Sequence, residues 1–210
     1  MTSSGSDAER DQVLRREELD PDPLRQFERW FADARAASIP LAEACAVATA
    51  TAGGAPSARM VLLKEADARG FVFATNYGSR KGRELADNPR AALLFYWHAL
   101  GRQVRVEGAV ERVDAAESDA VWLARPRGSR LSALASAQSE PVASRDELEQ
   151  RVADLERDLT GREVDRPEWW GAYRVVPDEL EFWQHRRDRL HHRFRYRRRG
   201  DGWTIEELQP

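Results

Sequence analysis

Two neighbouring runs decide the fold: Ala91-Ala92-Leu93-Leu94-Phe95-Tyr96-Trp97 and, after His98-Ala99-Leu100-Gly101, Arg102-Gln103-Val104-Arg105-Val106-Glu107. In the second run, polar residues at 103, 105 and 107 alternate with valines, the pattern of a strand with one buried face. The short break that ends in glycine is typical of a hairpin. We therefore predict two long antiparallel strands, residues 91–97 and 102–113.

Further strand patterns flank this hairpin, and helical patterns lie between or beside them rather than in regular alternation. The predicted strands cover residues 46–51, 57–64, 70–75, 169–176, 179–184, 193–197 and 203–208, and the predicted helices cover 24–34, 80–88, 114–124 and 144–159. Such sequential pairing favours a mainly β fold with flanking helices, a small barrel or meander, over a parallel sheet. Residues 1–20 are polar and predict a disordered or lid-like tail, whereas 21–210 are expected to form a single domain.

Composition limits the classes of protein to consider. The chain has 210 residues, 41% hydrophobic and 33% charged, with a formal net charge of −3. This near-neutral total argues against nucleic-acid binding, although residues 186–199 carry eight arginines and one acid, Asp188. The N-terminus lacks the apolar core of a signal peptide, no run is long enough for a membrane span, and the one cysteine, Cys45, cannot form an internal disulfide. We predict a cytoplasmic protein.

Cations recur where a packed core has no use for them. Arg189-Leu190-His191-His192-Arg193 combines guanidinium and imidazole groups, and the strand 57–64 carries Arg59 on one face and Lys64 on the other. Gly78-Ser79-Arg80-Lys81 opens a helix, a setting that binds phosphate, and residues 125–130 predict a basic loop. A barrel could gather these groups around an anionic planar ligand. The alternative is a solvated charged edge strand.

Several chemistries find no support in the sequence. The single cysteine and the four histidines show no zinc-site spacing, and His191 and His192 would face opposite sides of a strand. There is no phosphate loop of the Gly-Lys-Ser/Thr type, no Gly-x-Gly-x-x-Gly turn and no nucleophile elbow. We therefore expect no metal.

Taken in chain order, these motifs resemble the pyridoxamine 5′-phosphate oxidase family. The resemblance runs from about Pro21 to Pro210 and is carried by Arg59-Met60-Val61-Leu62-Leu63-Lys64, Thr75-Asn76 with Gly78-Ser79-Arg80-Lys81, Arg102-Gln103-Val104, Arg125-Pro126-Arg127-Gly128-Ser129, Gln138-Ser139, Glu181-Phe182-Trp183-Gln184 and Arg189-Leu190-His191. Each motif alone is weak, but seven in register are highly specific.

The resemblance implies an FMN-binding split β-barrel that forms a homodimer, with FMN in a cleft between the subunits. It assigns flavin binding in one subunit to Arg59, Met60, Val61, Leu62, Leu63, Lys64, Ala74, Thr75, Arg80, Lys81 and Gln103, and in the other subunit to Gln138, Ser139, Trp183 and Arg193. It assigns binding of the substrate phosphate to Lys64, Arg125 and Ser129. It assigns binding of the pyridine ring to Arg189, Leu190 and His191, of which Arg189 and His191 would be catalytic. The implied reaction oxidises pyridoxamine or pyridoxine 5′-phosphate to pyridoxal 5′-phosphate, with dioxygen as acceptor and hydrogen peroxide as product.

Three positions depart from the family pattern. Val121 stands where the family usually has a Tyr that contacts the substrate phosphate, the lid segment Arg15-Arg16-Glu17-Glu18 lacks its Tyr, and His192 replaces an Asp. The pair Trp122-Leu123 resembles a Trp-Leu pair beside the Arg-Pro loop in flavin oxidases of phenazine biosynthesis. This resemblance gives an alternative substrate class. The retained Lys64 and Arg127-Gly128-Ser129 favour a phosphorylated substrate. A non-catalytic protein that binds flavin or pyridoxal phosphate is the alternative from another class.

Overall fold

The computed structural model describes residues 10–210. Within them the strands are β1 (Ala44–Ala50), β2 (Pro56–Asp67), β3 (Gly70–Asn76), β4 (Arg90–Trp97), β5 (Arg102–Arg112), β6 (Trp170–Gln184), β7 (His192–Arg199) and β8 (Gly202–Glu207). The longer helices are α1 (Pro23–Ala36), α2 (Arg80–Asp87), α3 (Ala115–Leu123), α4 (Arg127–Ala135) and α5 (Arg145–Asp158), and short 3₁₀ turns cover Arg16–Glu18, His98–Leu100 and Arg187–Arg189.

The strands form one antiparallel sheet in the order β3-β2-β1-β4-β5-β6-β7-β8. The first half of β6 also pairs with β3, with Phe71 opposite Val175, so that six strands close into a barrel. On the same edge, the second half of β6 pairs with β7, which carries β8. The predicted mainly β split barrel is confirmed, and β4 and β5 form the predicted hairpin, with Phe95 opposite Val104.

Helix α1 packs its apolar face onto the inner side of the barrel. Asp22 caps the helix by accepting a hydrogen bond from the Leu24 N–H at 2.9 Å. The fully buried Phe27 ring meets Phe71 edge-on at 4.8 Å and Phe95 at 5.0 Å between ring centroids. This aromatic cluster joins α1 to strands from both halves of the barrel.

A smaller apolar cluster joins helices α3, α4 and α5 to the start of β6. The buried Trp122 meets Trp170 edge-on at 4.8 Å, and its Nε1 donates to Val164 O at 2.7 Å. Leu131 of α4 is buried in the same cluster, and Val152 of α5 packs against it. The cluster fixes the connection between α3 and α4 beside the barrel.

Two elements differ from the sequence prediction. The predicted basic loop at 125–130 is largely helical, because α4 begins at Arg127 directly after Pro126, and proline is tolerated at a helix start. The strands predicted at 169–176 and 179–184 form one strand, β6, whose ladder with β5 shifts register between Glu107 and Gly108.

The N-terminal segment lies against the barrel from residue 10 onward. Leu19 is buried in the main core, and the Tyr196 hydroxyl donates to Asp20 O at 2.8 Å. Asp11 forms an ion pair with Arg186 at 3.2 Å. These contacts disagree with the disordered alternative for residues 10–20, and the lid-like alternative stays a prediction. Residues 1–9 lie outside the described part of the chain. No helix within residues 10–210 combines the length and hydropathy needed to cross a membrane.

The outer face of the sheet changes from apolar to charged across its width. Met60, Ala46 and Leu94 lie side by side on β2, β1 and β4, and Arg105 and Glu181 continue the same row. Met60 is 64% exposed and Leu94 is 38% exposed. We call the uncharged part of this face the outer apolar patch. It is formed by Ala46, Ala48, Ala58, Met60, Leu62 and Leu94.

The arginine-rich strand β7 faces acidic residues across the sheet. Its ion pairs are Arg193 with Glu181 at 2.7 Å, Arg195 with Glu206 at 2.6 Å and Arg197 with Glu179 at 2.9 Å. The basic run therefore contributes to a cross-strand charge ladder.

Candidate active site

A cavity of about 990 Å³ opens beside β2, in the size range of ligand pockets. It lies where β2 pairs with β1 but not with β3, because the β2–β3 ladder begins only at Leu63. Of the residues predicted to bind flavin or substrate, the cavity collects Arg59, Met60, Val61, Leu62, Lys64, Ala74, Thr75, Arg80, Lys81, Arg125, Ser129, Gln138 and Ser139.

One end of the cavity holds a buried lysine. Lys81 is 7% exposed, and its Nζ donates to Thr75 Oγ1 at 2.7 Å, Gln138 Oε1 at 3.0 Å and Ser79 Oγ at 3.2 Å. Burial, helped by the charge of Arg59, lowers the pKa of Lys81 to about 8. Lys81 also lies in the first turn of α2, where the helix dipole favours an anion. Arg59, Arg80 and Lys81 together form what we call the phosphate end.

A buried carboxylate, absent from the sequence prediction, holds the phosphate end together. Glu84 accepts hydrogen bonds from Ser57 Oγ at 2.6 Å, from Arg80 Nε at 2.9 Å and from the Thr49 hydroxyl, and Arg59 Nη2 lies at 3.4 Å. Burial alone would raise the pKa of Glu84, but these hydrogen bonds and the Arg59 charge lower it to about 2. The spacing of Arg80 and Glu84, four residues apart on a helix, is the signal that could have found it.

The acid stability of the protein should depend on Glu84. Because its folded pKa lies below the ordinary value of 4.5, its contribution to stability is complete above pH 4.5 and is lost as the pH falls towards 2. Glu84→Gln should lower the melting temperature at neutral pH and flatten its decline between these two pH values. Thermal unfolding followed by circular dichroism measures both effects, with the exposed Glu111→Gln as control. A Glu84→Gln protein with the wild-type acid profile would contradict this assignment.

The backbone of β2 presents an open edge to the cavity. Leu63 N donates to Glu43 O at 2.9 Å, and antiparallel alternation then directs the backbone groups of Arg59 and Val61 to β1. The backbone groups of Met60 and Leu62 therefore point away from β1, towards the cavity. The sequence predicted that Leu63 binds flavin. In the structure its side chain is buried in the core and does not line the cavity.

The other end of the cavity carries a second cationic group, Lys64 and Arg125 with Ser129. Arg125 lies over the Trp170 ring at 4.8 Å and over Trp122 at 5.4 Å, and its Nη2 donates to Ser129 O at 2.7 Å. Burial lowers the pKa of Arg125. These contacts hold the guanidinium beside the first turn of α4, which contains Ser129. We call Lys64, Arg125 and Ser129 the substrate end.

Gln138 and Ser139 belong to the same chain's cavity. Gln138 Oε1 accepts from Thr75 Oγ1 at 3.1 Å as well as from Lys81, and Ser139 Oγ accepts from Arg80 N at 3.1 Å. The prediction that these two residues complete the site from the partner subunit is therefore corrected. The segment after α4 is short enough to return them to α2.

A second group of predicted residues lies elsewhere, on the outer face of the sheet. Gln103, Trp183 and Arg193 are direct cross-strand neighbours on β5, β6 and β7. Glu181 holds Arg193 through two hydrogen bonds, Nε to Oε1 at 2.7 Å and Nη2 to Oε2 at 3.1 Å. This group does not line the cavity of its own chain, so the prediction that Gln103 joins Arg59 in the site of one subunit is corrected.

His191 and Arg189 lie next to this second group, on the loop before β7. The His191 ring lies 4.5 Å from the Trp183 ring between centroids, tilted by 42°, and its Nδ1 accepts a hydrogen bond from the Arg186 N–H at 3.1 Å. Burial, followed by the charges of His185, Arg189 and Arg193, lowers the pKa of His191. The ring is therefore neutral near pH 7 and carries its proton on Nε2. Arg189 and Leu190 are exposed.

The closed barrel with its cavity at a strand edge has the architecture of split-barrel flavoproteins. A pyridoxamine 5′-phosphate oxidase-related, FMN binding protein from Nostoc punctiforme has the same fold, with a TM-score of 0.71 at 16% identity over 91% of this chain and 100% of that one. The sequence profile described as pyridoxamine 5′-phosphate oxidase matches residues 31–157, and the one described as pyridoxine 5′-phosphate oxidase C-terminal dimerisation region matches 170–210. The chain belongs to the pyridoxamine 5′-phosphate oxidase family.

Full-length relatives agree with this membership. The chain is 59% identical to the pyridoxine/pyridoxamine 5′-phosphate oxidase of Rubrobacter xylanophilus, over 91% of this chain and 88% of that protein. It is 52% identical to the protein of the same name from a Cyanothece species, over all of both chains. Among solved structures, PhzG from Burkholderia lata in complex with tetrahydrophenazine-1-carboxylic acid matches with a TM-score of 0.90 and 35% identity, over 96% of this chain and 100% of that one.

Proposed function

We propose that this protein is an FMN-dependent oxidase that converts pyridoxamine 5′-phosphate and pyridoxine 5′-phosphate to pyridoxal 5′-phosphate. One observation carries the proposal: the cavity has two separate cationic ends, with the open edge of β2 between them. Two such ends suit two phosphates, and the edge between them suits a flat ring. The names of the relatives agree with this substrate class.

The residues at the cavity fit FMN. Lys81, Arg59 and Arg80 surround one anion position at a helix N-terminus, as a single terminal phosphate requires. The backbone groups of Met60 and Leu62 on the open edge offer hydrogen bonds to the polar rim of the ring system. When bound in this cavity, FMN would supply a two-electron acceptor for the hydride of the substrate, with dioxygen as the final acceptor and hydrogen peroxide as the product.

The chain's own residues bind and orient the substrate in this proposal. The substrate end holds the phosphate, with the Arg125 guanidinium fixed by Trp122 and Trp170. Arg189 and His191, contributed by the partner subunit in this proposal, would contact the pyridine ring. Because Nδ1 of His191 is occupied by the Arg186 N–H, His191 donates a hydrogen bond through Nε2 rather than taking a proton there.

The affinity for FMN should fall as the pH rises above about 8. Lys81 has a pKa of about 8 in the free protein, and a phosphate dianion beside Nζ raises that pKa, so binding takes up a proton at higher pH. We expect a loss of about tenfold per pH unit above this point. Flavin fluorescence titrations measure it, and Lys81→Arg should remove the slope because guanidinium stays charged. A wild-type affinity that is constant across this range would contradict the proposal.

The second group of site residues suits a site shared between two subunits. Trp183 and Arg193 lie within the matched dimerisation region and do not line the cavity beside β2 of their own chain. The outer apolar patch offers a self-complementary surface that a second copy would bury. We therefore propose that Gln103, Trp183, Arg189, Leu190, His191 and Arg193 reach the cavity of the partner subunit.

A charge in the outer apolar patch should separate the subunits. In Ala46→Arg the new side chain would lie between Met60 and Leu94, where a partner would have to bury it unpaired. Light scattering after size exclusion should then report the chain mass of 23.9 kDa instead of twice that value, and bound flavin should be lost with the dimer. Ala68→Arg, in the exposed turn after β2, is the control. A flavin-loaded Ala46→Arg dimer would refute the shared site.

Oxygen consumption tests the reaction itself. The flavin-loaded protein is supplied in parallel with pyridoxine 5′-phosphate, pyridoxamine 5′-phosphate and unphosphorylated pyridoxine. Turnover of the two phosphorylated compounds alone, with one peroxide formed per aldehyde, is the expected result. A yellow protein without turnover on any of them would refute the proposed reaction and favour a flavin-binding protein without catalysis. We also propose a cytoplasmic location, in keeping with the single buried thiol of Cys45.

A second substrate class has specific support. The solved PhzG structure contains tetrahydrophenazine-1-carboxylic acid and matches this chain closely. The wall of the cavity near the substrate end is apolar at Ala120, Val121 and Ala124, which suits a larger tricyclic ring. Reduced phenazine carboxylates therefore form the fourth arm of the oxygen assay, and turnover of these alone would replace the vitamin B6 assignment.

A further inference from the structure

The loop between β6 and β7 adopts a backbone that its own residues disfavour. Asp188 and Arg189 follow one another with φ angles of 57° and 64°, in the left-handed region that residues other than glycine rarely adopt. Two such residues in succession need contacts from outside the loop to hold them. The same loop carries Arg189 and ends at His191, so whatever holds it also sets the position of these two side chains.

The N-terminal segment supplies those contacts. Asp11 Oδ1 accepts from the Arg187 N–H at 3.1 Å, and its carboxylate pairs with Arg186 Nη1 at 3.2 Å and Arg187 Nε at 3.2 Å. The Asp11 carbonyl also accepts from Arg186 Nη1 at 2.6 Å. At the adjoining residue, Arg10 O accepts from Gln184 Nε2 at 3.0 Å. Residues 10 and 11 therefore anchor both the end of β6 and the start of the loop by hydrogen bonds and ion pairs.

The fastened loop determines which nitrogen of His191 carries the proton. The Arg186 N–H that donates to His191 Nδ1 belongs to the same residue whose side chain is tied to Asp11. We infer that Asp11 is a positioning residue for His191: through Arg186 and Arg187 it holds the loop so that the imidazole presents its Nε2–H to the substrate. The inference rests on the proposed function for the substrate, but its geometric part concerns this chain alone.

The direction of the pKa shift of His191 after removal of Asp11 tests the inference, because of the charges around the ring. The ring faces His185 and Arg189 on its own loop, Arg193 on β7 and the Arg186 backbone, and Trp183 of β6 covers one side. If Asp11 acted only through space, its removal would lower the pKa of His191 further, because a negative charge would be lost. If Asp11 acts by position, its removal frees Nδ1 and exposes the ring, and the pKa of His191 rises.

Histidine Cε1–H resonances followed by NMR against pH in the full-length, flavin-loaded protein measure this pKa. The chain has four histidines, so His191→Gln assigns the signal. In Asp11→Asn we expect the pKa of His191 to rise by about half a unit or more. The KM for the phosphorylated substrate should rise about fivefold, with a smaller change in kcat. Asp178→Asn, which removes the exposed pair with Arg90, is the matched control and should change neither.

Each outcome decides the inference. A His191 titration that is unchanged or shifted downward in Asp11→Asn overturns it. Asp11→Glu keeps the negative charge but displaces the carboxylate from the Arg187 N–H, so it should raise the pKa of His191 by less, which keeps the test available if Asp11→Asn folds poorly. Failure of the wild-type protein to oxidise any vitamin B6 phosphate would refute the proposed function, while an upward shift of His191 in Asp11→Asn would still support the positioning role.

Discussion

Lys81→Met is expected to give a folded, colourless protein whose dissociation constant for FMN is raised at least 100-fold. Methionine has nearly the length of lysine but no charge, so the variant removes the buried ammonium while filling its space. A charge-assisted hydrogen bond to a phosphate in a site this buried contributes about 3 kcal/mol, which corresponds to roughly a hundredfold change in affinity. Thr75 Oγ1 also loses the Lys81 donor, and Gln138 Oε1 keeps only the hydrogen bond from Thr75, which adds to the loss.

Lys64→Met is the matched control at the opposite end of the cavity. Lys64 is exposed and belongs to the substrate end, so its variant should retain flavin and instead raise the KM for pyridoxine 5′-phosphate. Fluorescence titration with FMN and steady-state oxygen consumption separate the two effects. Flavin binding by Lys81→Met with wild-type affinity, or loss of flavin from Lys64→Met alone, would show that the two ends of the cavity have been assigned the wrong way round.

Trp122→Ala should cost about 3–5 kcal/mol of unfolding free energy, the usual range for removing a fully buried large aromatic ring. The ring packs against Trp170, and its face lies against the Arg125 guanidinium. Its loss leaves a void beneath the substrate end as well as an unpaired carbonyl at Val164. The KM for a phosphorylated substrate should therefore rise along with the loss of stability. Urea unfolding at a fixed protein concentration measures the first effect.

Trp122→Phe separates packing from hydrogen bonding at the same position. Phenylalanine keeps most of the ring contact and loses only the Nε1 bond to Val164 O, which should cost about 1 kcal/mol beyond the small change in volume. The Arg125 position and the KM should then stay close to wild type. An equal loss of stability in both variants would mean that the hydrogen bond to the segment before β6, and not the packing of the ring, carries the contribution of Trp122.

Secondary structure was predicted best where short-range sequence patterns agree with the packing of the folded protein. The alternation in β5 predicted its buried valines, and the helices predicted over 114–124 and 144–159 begin at the caps Asp114 and Ser144. The resemblance to a family located most residues of the cavity, because those residues lie on β2 and at the start of α2, whose structures are set by short-range patterns. The position of a site residue on such an element can be predicted well.

The remaining features depend on contacts that are distant in sequence. Glu84 resembles an ordinary helix-surface residue until the barrel brings Thr49 and Ser57 to it. The helix α4 was missed because Pro126 and Gly128 are loop signals, whereas the side chain of Arg127 is anchored to carbonyls near the end of α5. The docking of residues 10–20 follows from partners more than 170 positions away, such as Arg186 for Asp11. No local pattern contains that information.

The open edge of β2 has a consequence for the life of the protein in the cell. Strands with unpaired backbone groups and apolar side chains are templates on which other chains can align, and the edge at Met60 and Leu62 has both properties. In the proposed complex FMN would cover that edge. Newly made chains that wait for cofactor therefore carry an aggregation risk that mature holoprotein lacks, and riboflavin supply should govern the soluble yield of the protein as well as its colour.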